Sequence, residues 1–217
     1  MPAARPILVA AAWDPELAPL LARLGPARAR AARGVVTRAI GVGLVEAAAG
    51  TARALAELAP RAVVLIGTAG VYRGAAPAFA PGQAAVIRKS HLASTAVATG
   101  AAYLPAPLPA SIATDAGLRR TLARPGRTPL ADVACPLGIT RSLAAARHLA
   151  AATGAELESL ETFGCARAAA LAQVPFAAVL GVANHVGPNA HAEWRAHADL
   201  AAAAAATIVA AWLADES

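Results

Sequence analysis

At 217 residues the chain can form one sizeable domain around a single core, and 58% hydrophobic against 15% charged residues excludes intrinsic disorder. A formal net charge of +6 would suit a nucleic-acid partner. The basic residues, however, are scattered arginines, and the densest stretch, Arg23 to Arg38, is interleaved with Ala, Gly and Pro without an aromatic-studded basic face, so no nucleic-acid partner is expected.

Cys135 and Cys165 match no metal or redox spacing and read as buried free thiols, with no metal and no oxidising compartment implied. Near the start, the apolar run after Arg5 is short and is stopped by Asp14-Pro15-Glu16, which favours a buried first strand over residues 7–12 rather than a signal peptide. A helix over 15–24 follows, then a strand over 35–40 ending in Gly41-Val42-Gly43, and a helix over 45–58 stopped before Pro60. A buried strand over 63–66 runs into Gly67-Thr68-Ala69-Gly70, expected as a tight turn, and 84–88 is a further strand.

Proline-rich 103–109 reads as a loop. Beyond it come a strand at 133–135, a helix over 142–152 with Gly154 as its C-cap, a short extended piece at 156–159, a helix over 162–173 and a strand over 176–182 leading into Asn184. The chain closes with a helix over 193–213. Its apolar part, 198–213, is mostly alanine and falls short of the ~20 strongly apolar residues of a membrane span, so it reads as a packing helix and no membrane partner is expected. With no targeting segment evident, a cytoplasmic protein is expected.

This alternation predicts an α/β fold: one domain over 1–217, with a mixed, mostly parallel central sheet flanked by helices. Ligands in such folds bind beyond the carboxyl ends of the strands. A search past each strand end finds Glu16, Gly41–Gly43, Gly67–Gly70, Glu158–Glu161 and Asn184. Each has a bland reading. Glu16 and Glu161 could simply be first-turn acids favoured by the helix dipole, with Asp14 as a cap. Asn184 could be a turn residue. The glycine turns do not complete a dinucleotide fingerprint, since Glu46 occupies the last position. His185, His191 and His197 follow no metal pattern and are expected to face solvent.

Taken together, these segments resemble the purine nucleoside phosphorylase and nucleosidase superfamily. Trp13-Asp14-Pro15-Glu16 resembles the acidic turn after the first strand of its nucleosidases, Gly41-Val42-Gly43 their Gly-Ile/Val-Gly turn, and Ile66-Gly67-Thr68-Ala69-Gly70 their Gly-Ser/Thr-Ala-Gly loop. Glu158-Ser159-Leu160-Glu161 resembles the Glu-x-Met-Glu signature, and Val174-Pro175-Phe176 with Ala183-Asn184-His185-Val186 resembles the Val-Pro-Phe strand and its Ser-Asp or Ser-Asn end. Residues from about Arg88 to Pro129 match poorly. Asn184, the Val186-Gly187-Pro188 step and Trp194 look like the futalosine hydrolase group, while Leu160, Ala183, Gln83 and Asn189 depart from its pattern.

The resemblance implies hydrolysis of a purine N-glycosidic bond, with futalosine (of a menaquinone route) as substrate, and no cofactor. It gives Glu161 the ribose 2′- and 3′-hydroxyls, Leu160 the sugar face, Glu16 the attacking water, and Asn184 the purine N7 and 6-substituent. Gly43, Thr68, Ala69, Gly70, Ile139 and Phe163 are the other expected substrate contacts. Phosphorylases of the superfamily hold phosphate with arginine and glycine at the first loop, where this chain has a carboxylate that would repel it. A phosphorylase and a catalytically idle nucleoside-binding protein are the alternatives. The resemblance also implies a homodimer whose partner completes the pocket.

Overall fold

In the computed structural model the described residues are 5–27, 29, 34–75 and 79–215, of which 124–127 are described by backbone alone. In chain order they form β1 (Ile7–Ala11), α1 (Asp14–Leu24), β2 (Val35–Ala39), α2 (Leu44–Leu58), β3 (Ala62–Val71), β4 (Ala84–Leu92), α3 (Thr95–Ala98), β5 (Ser111–Ala113), α4 (Ala116–Arg127), β6 (Leu130–Cys135), α5 (Leu143–Thr153), β7 (Leu157–Glu158), α6 (Thr162–Leu171), β8 (Phe176–His185) and α7 (Ala190–Asp215).

One mixed sheet organises the molecule. β2, β1, β3 and β8 pair in parallel. β8 meets β4 antiparallel, β4 and β6 run parallel, and so do β6 and β7. The antiparallel pairing of β7 with the end of β3 closes these strands into a ring, while β5 adds to the free side of β4.

The strand sequences explain why helices cover both faces. β1 is buried at every position, as expected of a parallel strand without a solvent face. Its side chains alternate: Leu8 and Ala10 join a cluster with Ala47, Ala54, Leu55, Cys165 and Ala169 from α2 and α6. Ile7, Val9 and Ala11 join the opposite cluster with Leu17, Leu20 and Leu24 of α1 and Val209, Trp212 and Leu213 of α7. The alanine excess has a steric purpose. At Gly181 of β8 an added Cβ would stand 1.9 Å from the Ala201 carbonyl oxygen of α7, so helix and strand touch backbone to backbone.

Several sequence expectations need correction. Residues 67–70 are not a turn: β3 continues through them, pairing with β8 up to His185 and with β7, and absorbs a bulge between Ala69 and Gly70. Glycines there read as a break, but two flanking strands hold the backbone extended. The poorly matching segment adds the end of β4, α3, β5 and α4; α4 is capped by Asp115, whose carboxylate accepts from the Leu118 N–H at 2.9 Å. The last helix begins at Ala190, and at 26 residues it is long and apolar enough to cross a membrane by length and composition. In the fold its stripe of Ala201, Ala202, Ala205, Ala206, Val209, Trp212 and Leu213 is buried.

The contact at Gly181 gives a direct test. Gly181→Ala should force β8 and α7 apart and lower stability by about 1–3 kcal/mol, the usual cost of overpacking a tight core. Urea unfolding followed by circular dichroism should show a lower midpoint at an unchanged slope.

Candidate active site

The carboxyl ends of the strands surround a cavity of about 280 Å³, near the lower end of the ~300–1,000 Å³ usual for small-molecule sites. Its walls include Trp13 and Glu16 after β1, Val42 after β2, Thr68–Gly70 in β3, Ile139 after β6, Glu158–Glu161 from β7 into the start of α6, and Asn184 in β8. Ala190, His191 and Trp194 of α7 complete it.

Glu16 sits in the first turn of α1, where Pro15 fits without losing a helical hydrogen bond. The N-cap is Trp13, which makes no side-chain capping bond; Asp14, the expected cap, already lies inside the helix. Glu16 is buried. Its Oε1 accepts both the backbone N–H and the hydroxyl of Thr68, each at 2.9 Å, while its buried Oε2 has no protein partner. Burial pushes its carboxyl up to about 7, against the Thr68 donors, with the nearby Glu161 charge adding to the rise.

Glu161 is the N-cap of α6, yet its side chain makes no capping bond. Instead Oε1 accepts the Gly43 N–H at 2.9 Å and Oε2 accepts the Ser159 hydroxyl at 3.2 Å. The helix-start reading therefore does not describe what this carboxylate does. Burial raises its pKa, opposed by the Gly43 N–H and the Ser159 hydroxyl. Glu158 is held differently: the Tyr72 hydroxyl donates to Oε2 at 2.8 Å and the Thr140 N–H to Oε1 at 3.0 Å, which ties β7 to the loop after β6.

Asn184 is buried inside β8 rather than in a turn, and its amide donates to the His185 carbonyl at 3.0 Å. It lies opposite Gly70, where an added Cβ would come within 2.9 Å of its Nδ2; a glycine at that register leaves the amide its room. Thr68, Ala69, Gly70, Ile139 and Leu160 all reach the cavity. Two of the expected contacts do not line it. Gly43 acts one step back, through its hydrogen bond to Glu161. Phe163 is buried in the first turn of α6, and two residues past Glu161 turns it about 200° away from that side chain.

Sequence reasoning gave no role to the aromatic wall. Trp13 and Trp194 stack with ring centroids 6.2 Å apart, and His191 stacks on Trp194 at 6.0 Å. The Trp194 indole N–H donates to the Thr68 hydroxyl oxygen at 3.1 Å. His185 and His191 are exposed, as expected, with His191 also at the cavity wall and His185 paired with Glu193 at 3.0 Å; only His197 is part-buried, 3.2 Å from the Ala183 carbonyl. Among the described residues no cluster of three or more His, Cys, Asp or Glu has the geometry of a metal site.

Among the described residues lining the cavity there are three carboxylates and no Lys or Arg. Such a wall repels an anion and favours a neutral or electron-poor centre. One carboxylate has a free oxygen and a pKa near neutrality, which suits a general base.

Comparison with known proteins places these features. A family profile described as the phosphorylase superfamily matches residues 19–214. The futalosine hydrolase of Streptomyces coelicolor is 33% identical over 175 residues, covering 76% of this chain and 73% of that protein. Among solved structures, a futalosine hydrolase of Helicobacter pylori superposes with a TM-score of 0.84 at 14% identity, covering 98% of each chain. The 5′-methylthioadenosine/S-adenosylhomocysteine nucleosidase of Neisseria meningitidis, in complex with methylthio-immucillin-A, gives a TM-score of 0.83 at 19% identity, covering 97% of this chain and 99% of that one.

Burial of Glu16 has a consequence for stability. Its folded pKa of about 7 lies above the ordinary 4.5, so the native state holds the proton more tightly than the unfolded chain. The stability contributed by neutral Glu16 is full below pH 4.5 and is lost as pH rises towards 7. Glu16→Gln should match the parent near pH 4.5 and exceed it at pH 8 by on the order of 3 kcal/mol. Thermal melts across that range check the divergence; parallel curves would show that Glu16 is not a strained carboxylate.

Proposed function

The chain belongs to the phosphorylase superfamily, and from that premise we propose that it hydrolyses the N-glycosidic bond of a purine nucleoside, with futalosine as substrate and hypoxanthine as leaving base. The observation that carries hydrolysis is the cavity wall: its ionisable groups are carboxylates and one histidine, with no Lys or Arg among the described residues to hold phosphate. The 33% identical relative supports futalosine, as does Asn184 at the end of β8.

Cleavage builds positive charge on the ribose and negative charge on the departing base, and both must be met. Glu161, pinned through Gly43 and Ser159, accepts hydrogen bonds from the ribose hydroxyls and stabilises the oxocarbenium-like centre. Glu16 takes a proton from the water whose oxygen attacks C1′. The C1′–N9 bonding pair leaves with the purine. Asn184 cannot supply a proton, but its amide can donate to the ring and accept from it, which suits a 6-oxopurine. Leu160 and Ile139 supply apolar contact to the sugar and base.

The second subunit is part of the same proposal. Val42 and Ile139 line the cavity and are also more than half exposed, at 59% and 57%, beside exposed Val45 and Leu137. A second copy of the chain would cover this apolar rim. Light scattering at micromolar concentration should give a dimer, and a monomer counts against it.

Free-base release from futalosine, inosine and methylthioadenosine, with and without phosphate, tests the activity. Hypoxanthine should appear from futalosine without phosphate, and Glu161→Gln should cut kcat/KM by at least about 100-fold. Adenine release would overturn the base assignment, phosphate-dependent release would make the enzyme a phosphorylase, and ligand binding without turnover would leave a nucleoside-binding protein.

A further inference from the structure

Glu16 is gripped on one oxygen only, and the grip continues to α7. An indole N–H can only donate. Trp194 donates to the Thr68 hydroxyl oxygen at 3.1 Å, and that hydroxyl lies 2.9 Å from Glu16 Oε1. Thr68 has a single hydroxyl proton. With its oxygen accepting from Trp194, the proton is directed to Glu16. The chain therefore has one direction, from Trp194 through Thr68 to Oε1. The Thr68 backbone N–H reinforces the same oxygen, while Oε2 is buried without a hydrogen-bond partner.

We propose that Trp194 is a positioning residue for Glu16: through the Thr68 hydroxyl it fixes the orientation of the carboxylate and favours its ionised form. This rests on the hydrolase reading for its kinetic consequence, but the contact itself does not.

The indole is fixed independently of substrate. It stacks with Trp13 and with His191. The turn of α7 that carries it is tied to the end of β8, because Glu193 accepts the His185 N–H at 2.7 Å and the His185 ring at 3.0 Å. Polarisation along hydrogen-bonded chains strengthens each member, so the indole N–H makes the Thr68 hydroxyl a better donor to an anion. The titratable groups facing Glu16 are Glu161 and Glu158 from the β7 side and His191 from α7; Asp14 shares its helix, and β3 presents only uncharged Gly67 and Thr68.

Trp194→Phe keeps a smaller aromatic ring in the stack and removes the N–H donor. The acid limb of kcat/KM should move up by about half a unit to one unit, and kcat should fall about tenfold with KM nearly unchanged. Thr68→Val should have a larger effect, and the double variant should be no worse than Thr68→Val alone. The carboxyl band of Glu16, assigned by infrared difference against Glu16→Gln, should titrate higher in Trp194→Phe by the same amount. That measurement stands even if no nucleoside is cleaved, which would sink the functional reading and leave the relay to the spectrum. An unshifted Glu16 band overturns the proposal. So does a rise in KM with kcat and the acid limb unchanged, which would make Trp194 a substrate contact.

Discussion

Two carboxylates, buried Glu16 and part-buried Glu161, face one cavity, and among the described residues lining it no lysine or arginine answers them. Charges in such a place need partners, and the fold supplies dipoles in place of cations. The Gly43 and Thr68 backbone N–H groups, with the Ser159 and Thr68 hydroxyls, come from three separate segments. Each donor needs its strand end placed to within a hydrogen bond, so the parallel alignment of β2 and β1 on β3 and the closed ring of strands beyond it together make the site possible. The partial compensation also has chemical value. A carboxylate fully paired with an arginine would be a poor base; one held by two donors on a single oxygen keeps a proton affinity matched to neutral pH.

The same constraint explains the alanine and glycine content. For the loops and strand ends to reach a common point, α7 must lie directly on β8. The contact of Gly181 with the Ala201 carbonyl is where a larger side chain would hold the layers apart. An alanine-rich helix in this chain is a spacer of minimum thickness as much as a source of apolar area.

How legible this was depended on whether a residue's signal was local. The strand over 7–11 is an apolar run that announces a buried parallel strand, and acids just past strand ends are conspicuous in a chain with thirteen of them. Gly67–Gly70 misled because glycine reports local freedom, whereas pairing with β7 and β8 is decided by residues far away in sequence. Phe163, given only by the resemblance, is buried in the first turn of α6 and does not line the cavity, a direction that helical phase decides and no local signal shows. The segment after Arg88 was opaque since β5 has three residues and gains its place only by pairing with β4.

Trp194 is the most instructive omission. It lies seven residues before Ala201, on the stripe that continues through Ala205 and Trp212, so helical periodicity alone assigns it to the core. What changes its role is where the sheet stops. From Ala201 back to Trp194 the helix travels about 10 Å at 1.5 Å per residue. From Gly181 to Asn184 the antiparallel strand travels about the same distance at its own rise. With Ala201 against Gly181, Trp194 therefore stands level with Asn184, at the last residues of β8. Below that level the stripe meets sheet; at it the stripe meets the cavity and the Thr68 hydroxyl. One face of one helix thus serves packing along most of its length and positioning at its first turns, and the end of β8 sets the boundary between the two.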